Sequence, residues 1–375
     1  MKKSLALMLV VLLAFSFVAC GNAEPPPAND AGTSDDVAAT PAPADSVKVG
    51  VSMPTQSLQR WNQDGANMKE QLEAAGYKVD LQFANDEVST QVSQIENMIA
   101  GGCKVLVIAA IEGDSLTTVL ETAKTNSISV IAYDRLIMNT DAVSYYATFD
   151  NFKVGVMQGE YLEKALDLKN AEGPFNIELI TGDPGDNNIN FFFGGAMSIL
   201  QPYVDSGKLV ISSGQTTKEQ VATPGWKTEN AQKRFEDIIM SVGYGPSGIK
   251  LDAVMASNDS TAQGVTNALA GAGYTAGNFP FLTGQDCDKP SVINMVARTQ
   301  SMSVFKDTRT LAAQVVKMVD ALMKGEEPPV NDTNTYDNGT GIIPSFLCDP
   351  VVCTVDNFEE LLVDSGYYTR EDLGL

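Results

Sequence analysis

Charged, amide and aromatic side chains follow most of the predicted strands, at the point where each strand gives way to a loop or helix. These residues are Arg60 and Trp61 after the strand at 47–52, Asp134 and Arg135 after 129–133, Asn187 and Asn188 after 175–180, Asn258 and Asp259 after 253–256, Asp286 after 281–283, and Lys306 after 303–305. Ligands of open parallel sheets bind beyond the carboxyl ends of the strands. We therefore expect these side chains to share one site.

The residue types at these positions suit a neutral polyhydroxy ligand such as a sugar. Carboxylates accept hydrogen bonds, arginine and lysine donate them, and asparagine does both. Trp61 and Trp226 could cover the apolar faces of a sugar ring. An anionic ligand would call for more cations, and a metal for carboxylates without cations beside them. Each residue alone could equally be a helix cap or a packing residue, so the strand ends by themselves leave both interpretations open.

The composition excludes several classes of function. The chain has 25 basic and 47 acidic residues, a net charge of −22 and no histidine. The negative charge argues against nucleic-acid binding, and the lack of histidine removes the commonest general base and zinc ligand. A glycosidase built on a carboxylate pair is conceivable, but no nucleophile or phosphate-loop motif is present. We expect no enzyme activity, cofactor or metal.

Five cysteines are present, at 20, 103, 287, 348 and 353. No C-x-x-C pair occurs, which argues against a zinc ribbon or a thioredoxin-type motif. Cys348 and Cys353 could form a bridge if Pro350 turns the chain between them. Free, partly buried thiols are the alternative, and the sequence leaves both open.

The first 20 residues have the pattern of a bacterial lipoprotein signal. Lys2 and Lys3 precede an apolar stretch that ends in Val-Ala-Cys20, and this stretch is shorter than the ~20 residues that cross a bilayer. We expect Cys20 to be lipidated and to become the mature N-terminus. An ordinary signal peptide or a short membrane helix is the alternative.

Residues 21–46 are predicted to be a disordered tether between this anchor and the folded protein. The segment is rich in proline, alanine and acidic residues and has neither a cation nor an aromatic residue. Such a segment has too little apolar surface to form a core.

From Val47 onward, apolar strand segments alternate with amphipathic helical segments that stop at glycines such as Gly76 and Gly101. This alternation is typical of α/β folds with parallel sheets. About 330 residues follow the tether, which is enough for two domains of ~150 residues. The sequence therefore predicts two doubly wound lobes.

Together, these stretches resemble the type I periplasmic binding proteins of ABC sugar importers, and within them the xylose-binding and multiple-monosaccharide-binding branch. The resemblance is carried by IAYDRLI (131–137), ATFDNFKVG (147–155), DNN (186–188), ASND (256–259), GQD (284–286) and FKDT (305–308). It runs from about Val47 to the C-terminus. The stretch before Trp226 departs from the family pattern.

The resemblance implies two Rossmann-like lobes joined by a three-strand hinge, which the chain crosses near Asn151, Lys306 and Tyr336. The lobes would comprise residues 47–151 with 307–335, and 152–306 with 336–375. It also implies that ligand contacts come from the strand-end residues, a set that comprises Arg60, Trp61, Asp134, Arg135, Asn187, Asn188, Trp226, Asn258, Asp259, Asp286 and Lys306.

The function implied by the resemblance is capture of a monosaccharide of the xylose, glucose, galactose or arabinose class and its delivery to the membrane subunits of an ABC permease. The protein would be a monomer outside the cytoplasm, held at the cell membrane by its lipid alone. A sugar receptor for a chemotaxis or sensor-kinase partner is the alternative. A sugar-responsive repressor shares the fold but would need a DNA-binding segment in place of the secretion signal.

Overall fold

The computed structural model describes residues 47–375. The predictions for the signal, the Cys20 lipid and the 21–46 tether fall outside these residues. The described chain has twelve strands: β1 (Lys48–Met53), β2 (Lys78–Phe83), β3 (Val105–Ile108), β4 (Ser129–Tyr133), β5 (Tyr145–Phe149), β6 (Phe175–Ile180), β7 (Leu209–Val210), β8 (Ala253–Ala256), β9 (Phe281–Leu282), β10 (Met302–Phe305), β11 (Ser345–Cys348) and β12 (Val351–Thr354).

Helices alternate with these strands, as the glycine-stopped apolar pattern predicts. The described α-helices are α1 (Gln59–Ala74), α2 (Val88–Ala100), α3 (Thr117–Thr125), α4 (Asn151–Ala165), α5 (Asn188–Asp205), α6 (Thr228–Val242), α7 (Asp259–Gly271), α8 (Lys289–Val296) and α9 (Thr308–Lys324). None of the helices from residue 47 onward is both long and apolar enough to span a bilayer.

Ten of the twelve strands form two parallel sheets, which confirms the α/β fold with two lobes. The first lobe contains a six-stranded sheet in the order β2-β1-β3-β4-β5-β11, and every pair in it is parallel. The second contains a four-stranded parallel sheet in the order β7-β6-β8-β9. An antiparallel pair, β10 and β12, lies beside it, joined by a bridge between Gln285 and Val304.

The chain passes between the lobes three times. It leaves the first sheet after β5 and returns at Lys306, between β10 and α9. The third crossing follows Cys348, because β11 pairs with β5 in the first sheet and β12 pairs with β10 in the second. It therefore lies later than the position near Tyr336 that we expected. Tyr336 itself is buried in the core of the first lobe.

The position of the third crossing also bears on whether Cys348 and Cys353 form a disulfide. Cys348 ends β11 in the first lobe, whereas Cys353 lies on β12 in the second. The four cysteines between residues 47 and 375 are all buried and free.

Helices α4 and α5 of the second lobe are in backbone contact through Gly155 and Gly195. A Cβ atom on Gly155 would collide with the carbonyl oxygen of Phe192, and one on Gly195 with that of Phe152. Only glycine allows this close approach. The contact fixes α5, whose first residue is Asn188.

We expect Gly155→Ala to lower the free energy of unfolding by about 1–3 kcal/mol, because overpacking forces the two helices apart. Gly194→Ala is the matched control on the same helix pair, because its nearest neighbour would lie 3.9 Å from the added methyl group. That variant should be neutral or stabilising by up to about 1 kcal/mol through helix propensity. Denaturant unfolding of both variants tests the contact, and equal effects would contradict it.

Candidate functional site

A cavity lies between the two lobes at the carboxyl ends of both parallel sheets. The space among its lining side chains is about 420 Å³ when the volume open to solvent is included, and the part that a water molecule can reach is about 30 Å³. Its lining residues come from both lobes: Leu58, Arg60, Trp61, Asp134, Arg135, Asp186, Asn188, Phe192, Trp226, Asn258, Ser260, Gln285, Asp286, Asp288 and Lys306. Nine of the eleven residues that the sequence suggested are in this set.

Arg60 joins carboxylates of both lobes. It lies in the first turn of α1 and is only 6% exposed. Its Nε donates to Asp64 Oδ2 at 2.8 Å, its Nη2 to Asp134 Oδ2 at 2.6 Å, and its Nη1 to Asp286 Oδ1 at 2.9 Å. Asp286 belongs to the second lobe, so the guanidinium bridges the cleft. The hydroxyl group of Tyr133 donates a hydrogen bond to the other carboxylate oxygen of Asp64.

Lys306 adds a second cation to the same carboxylates. It is 2% exposed and lies on the second crossing between the lobes. Its Nζ is 3.1 Å from Asp286 Oδ1 and 3.7 Å from Asp134 Oδ2. The rings of Phe149 and Phe192 lie 5.8 and 5.7 Å from the same nitrogen. The ammonium group is therefore held between the lobes by charge and by aromatic faces.

Arg135 and Asp186 form a further pair across the cleft. Arg135 Nε lies 3.1 Å from Asp186 Oδ2, without the alignment of a hydrogen bond. The same oxygen accepts a hydrogen bond from Trp226 Nε1 at 3.2 Å. The Arg135 side chain also donates to the carbonyl oxygen of Ala110 at 3.1 Å. Asp186 therefore orients one cation and one aromatic ring.

Asn188 connects the lobes through backbone atoms as well. Its Nδ2 donates to the carbonyl oxygen of Asp134 at 2.7 Å, and its Oδ1 accepts from Tyr146 and Asn151. Asp134 has a left-handed backbone (φ 58°). This conformation is uncommon for a residue other than glycine, and the bonds that hold Asp134 fix the direction of its carboxylate.

Both tryptophans of the chain line the cavity. Arg135 and Arg60 lie 5.0 and 5.6 Å from the centre of the Trp61 ring. The Trp226 ring rests on Gly182, where any Cβ atom would collide with the indole. The loop before Trp226, which departs from the family pattern in sequence, thus still brings the ring to the cleft.

Two of the residues suggested by the sequence lie outside the cavity lining. Asp259 is buried behind it, where its carboxylate accepts from Gln300, Ser303 and the backbone N–H of Asp288. Asn187 precedes α5 and accepts a hydrogen bond from Asn190. Asn258 lines the cavity and also caps α7 by accepting from the backbone N–H of Thr261. At Asn258 the capping and the cavity-lining interpretations therefore both apply.

Six lining residues were absent from the expected set. They are Leu58, Asp186, Phe192, Ser260, Gln285 and Asp288. Most stand within two positions of an expected residue, so a wider window around each strand end would have included them. Phe192 lies one helical turn after Asn188, and only its place on the inner face of α5 brings it to the cavity.

Burial and neighbouring charges shift the pKa values of two cavity carboxyl groups in opposite directions. Burial alone would raise the pKa of Asp134, but Arg60, Lys306 and Arg135 outweigh it and leave that pKa below its ordinary value. Burial, reinforced by the Asp286 charge, raises the pKa of Asp288 to about 7. One oxygen of Asp288 is buried without a hydrogen-bond partner.

The site thus places three cations among several carboxylates, with no surplus of positive charge. No group of three or more Cys, Asp or Glu side chains in the described chain is arranged to hold a metal ion. Fixed donors and acceptors between two tryptophan rings can bind a neutral ligand that has both hydroxyl groups and apolar faces.

The chain belongs to the periplasmic binding protein family, since a family model for a periplasmic binding protein domain matches residues 49–327. Members of such a family bind ligands and are not enzymes, and they act outside the cytoplasm.

Relatives and solved structures agree with this assignment. The multiple sugar-binding periplasmic receptor ChvE of Rhizobium radiobacter is 49% identical over 332 residues, which are 88% of this chain and 93% of the relative. The D-xylose-binding periplasmic protein of Escherichia coli (strain K12) is 36% identical over 332 residues, 88% of this chain and 94% of the relative. A solute-binding protein of an ABC transporter from Clostridium phytofermentans, solved with bound β-D-glucose, superposes with a TM-score of 0.84 at 65% identity and covers 87% of this chain and 99% of that one.

We predict that two substitutions in the cavity change the stability of the protein in opposite directions near neutral pH, and that each change shrinks as the pH falls. Asp134→Asn should lower stability at pH 7 by about 3–5 kcal/mol, because it leaves buried cations short of a partner. A carboxyl with a lowered folded-state pKa contributes stability above its unfolded pKa, so this loss should shrink as the pH falls towards 3.

Asp288→Asn should instead raise the melting temperature at pH 8. A carboxyl with a raised folded-state pKa must ionise at a cost above that pKa, and the cost fades as the pH falls from about 7 towards its unfolded value near 4. Melting temperatures of the wild type and both variants between about pH 2.5 and 8 provide the test, because the Asp134 effect changes only below its unfolded pKa of about 4. Parallel curves for Asp288→Asn and the wild type would contradict the raised pKa.

Proposed function

We propose that this protein is an extracytoplasmic lipoprotein that encloses a monosaccharide between its two lobes and delivers it to an ABC permease. The observation that carries the proposal is the bridge from Arg60 to Asp134 and Asp286, which places donors and acceptors of both lobes around one cavity. The xylose, glucose, galactose and arabinose class is the proposed ligand.

The cavity chemistry supports a sugar. Asp134, Asp286 and Asp288 can accept hydrogen bonds from hydroxyl groups, and Asn258 can donate them from its amide. Trp61 and Trp226 supply apolar faces for the C–H face of a pyranose. The glucose-bound protein of Clostridium phytofermentans and the sugar receptors of similar sequence support the same ligand class.

Lobe closure would be the response to the sugar. Ligand that contacts both lobes has a higher affinity for the closed arrangement than for the open one, and so increases the closed population. A permease would then recognise the closed pair of lobes. The lining residues proposed as direct contacts are Arg60, Trp61, Asp134, Arg135, Asn188, Trp226, Asn258, Asp286 and Lys306. Asp259 and Asn187 would act by positioning these groups.

A thermal-shift screen against D-glucose, D-galactose, D-xylose and L-arabinose tests the proposal, because a ligand of the native state raises the melting temperature. Small-angle scattering with the best sugar should show a smaller radius of gyration. No shift with any monosaccharide would count against the proposed ligand class, and turnover of a sugar would favour an enzyme.

Asp286→Asn should weaken sugar binding by about 1.5–3 kcal/mol, the range for a hydrogen bond to a charged group. The neutral amide keeps the shape but loses the charge that two adjacent hydroxyls would meet. Asp237→Asn, an exposed carboxylate on α6 of the same lobe, is the control and should bind as the wild type does. Titration calorimetry measures both. Equal affinities of the two variants would remove Asp286 from the set of contacts.

Cys20→Ser should move the protein from the membrane fraction to the soluble fraction, because the thiol is the proposed acylation site. The motivation is the Lys2, Lys3, apolar stretch and Cys20 order. Fractionation of cells that express each form, with immunoblotting, measures the distribution. A serine variant that stays with the membranes would rule out the lipid anchor.

A further inference from the structure

The two lobes also meet outside the cavity, where Gln59 and Gln63 of α1 contact the C-terminal segment of the second lobe. The hydroxyl oxygen of Tyr368 accepts from Gln59 Nε2 at 2.7 Å and from Gln63 Nε2 at 3.0 Å. Gln59 Oε1 accepts from the backbone N–H of Lys289 at 3.2 Å. None of these four residues lines the cavity.

Tyr368 is fixed within its own lobe before the glutamines reach it. It is 4% exposed, and its hydroxyl donates to the carbonyl oxygen of Cys287 at 3.0 Å. Its ring packs edge-on against Tyr367, with the ring centres 4.8 Å apart, and Lys289 Nζ lies 5.5 Å from its centre. The phenol oxygen is thus held as a rigid acceptor that faces α1.

The two glutamines lie on the first lobe, at the start of α1. Gln59 is the first residue of α1 and Gln63 follows one turn later, so both side chains lie on the same face. Arg60 stands between them and points into the cavity. The helix that places Arg60 on the ligand therefore also places two amides on Tyr368.

We infer that Gln59, Gln63 and Tyr368 form an interlobe latch that stabilises the closed lobes and so sets sugar affinity without touching the sugar. The inference rests on the proposed function, since it assumes that ligand binds the closed arrangement. When only the closed state binds, the apparent dissociation constant scales inversely with the closed population. Rotation of the lobes apart separates α1 from Tyr368, and the latch bonds then pass to water.

A latch of this kind has a signature that a ligand contact lacks. Loss of the latch lowers the population of the closed state by the same factor for every sugar. Affinities for different monosaccharides should therefore fall together, with their ratios unchanged. A residue that touched the ligand would change those ratios, because epimers present their hydroxyl groups in different directions.

The experiment compares wild-type protein with Tyr368→Phe, which removes both hydrogen bonds of the latch, and with Gln63→Ala, which removes one of them from the other lobe. The dissociation constants for D-glucose, D-galactose and D-xylose should each rise by about 3- to 20-fold in either variant, the range expected for one or two neutral hydrogen bonds. Combining both substitutions should raise them by less than the product of the single effects, because both remove the hydrogen bond between Gln63 and Tyr368.

Tyr203→Phe is the matched control. The hydroxyl of Tyr203 donates to Glu163 at 2.7 Å within the second lobe, so its removal should leave the dissociation constants unchanged. Gln63→Ala keeps the test valid if Tyr368→Phe folds poorly, since its side chain makes no bond that holds the second lobe together.

Dissociation constants within about twofold of wild type for both variants, a difference that falls below the energy of one hydrogen bond, would overturn the latch. Unequal changes among the sugars would overturn it too. Wild-type protein that binds none of the sugars would count against the proposed function instead. In that case, small-angle scattering of ligand-free protein tests the latch. A larger radius of gyration in the variants than in the wild type would support the latch, and an unchanged radius would overturn it.

Discussion

Arg60 is a buried cation that donates to three carboxylates, and one of them lies on the other lobe. A buried charge without partners is strongly unfavourable, because desolvation costs several kcal/mol per ion. The first turn of α1, the left-handed residue Asp134 and the loop of Asp286 must therefore all be placed to within hydrogen-bond distance of one guanidinium. The meeting of both lobes around one cavity follows from that requirement, and Lys306 adds a second positive charge beside Asp134 and Asp286.

The site combines strong fixed charges with a neutral overall character. The cations and the carboxylates beside them pair with one another, so the cavity has no surplus of positive charge. What remains for a ligand is a set of directed hydrogen bonds between aromatic faces. Such a set distinguishes sugars by the direction of their hydroxyl groups, and water can fill a position where a smaller sugar has none.

Much of the fold follows from the sequence, because buried parallel strands and glycine-stopped helices leave a clear periodic pattern. Strands β1, β4, β6, β8, β9 and β10 lie close to their predicted positions. The third crossing was misplaced because β11 and β12 are short, and their partners β5 and β10 are distant in sequence. The pattern also located the strand-end residues but could not separate Asp134, which faces the cavity, from Asp259, which supports it from behind. That distinction depends on the fold of the loop at 284–288, which determines which side chains lie beside each of these two carboxylates.

Lys306 is placed where the chain passes from one lobe to the other, so its ammonium group lies close to the pivot of any opening motion. Groups near a pivot move least, and Lys306 can stay beside Asp134 and Asp286 while the distance between the far edges of the lobes increases. The two carboxylates then keep a counter-charge throughout the motion. In the proposed opening, carboxylates that keep their counter-charge add little electrostatic work at this point.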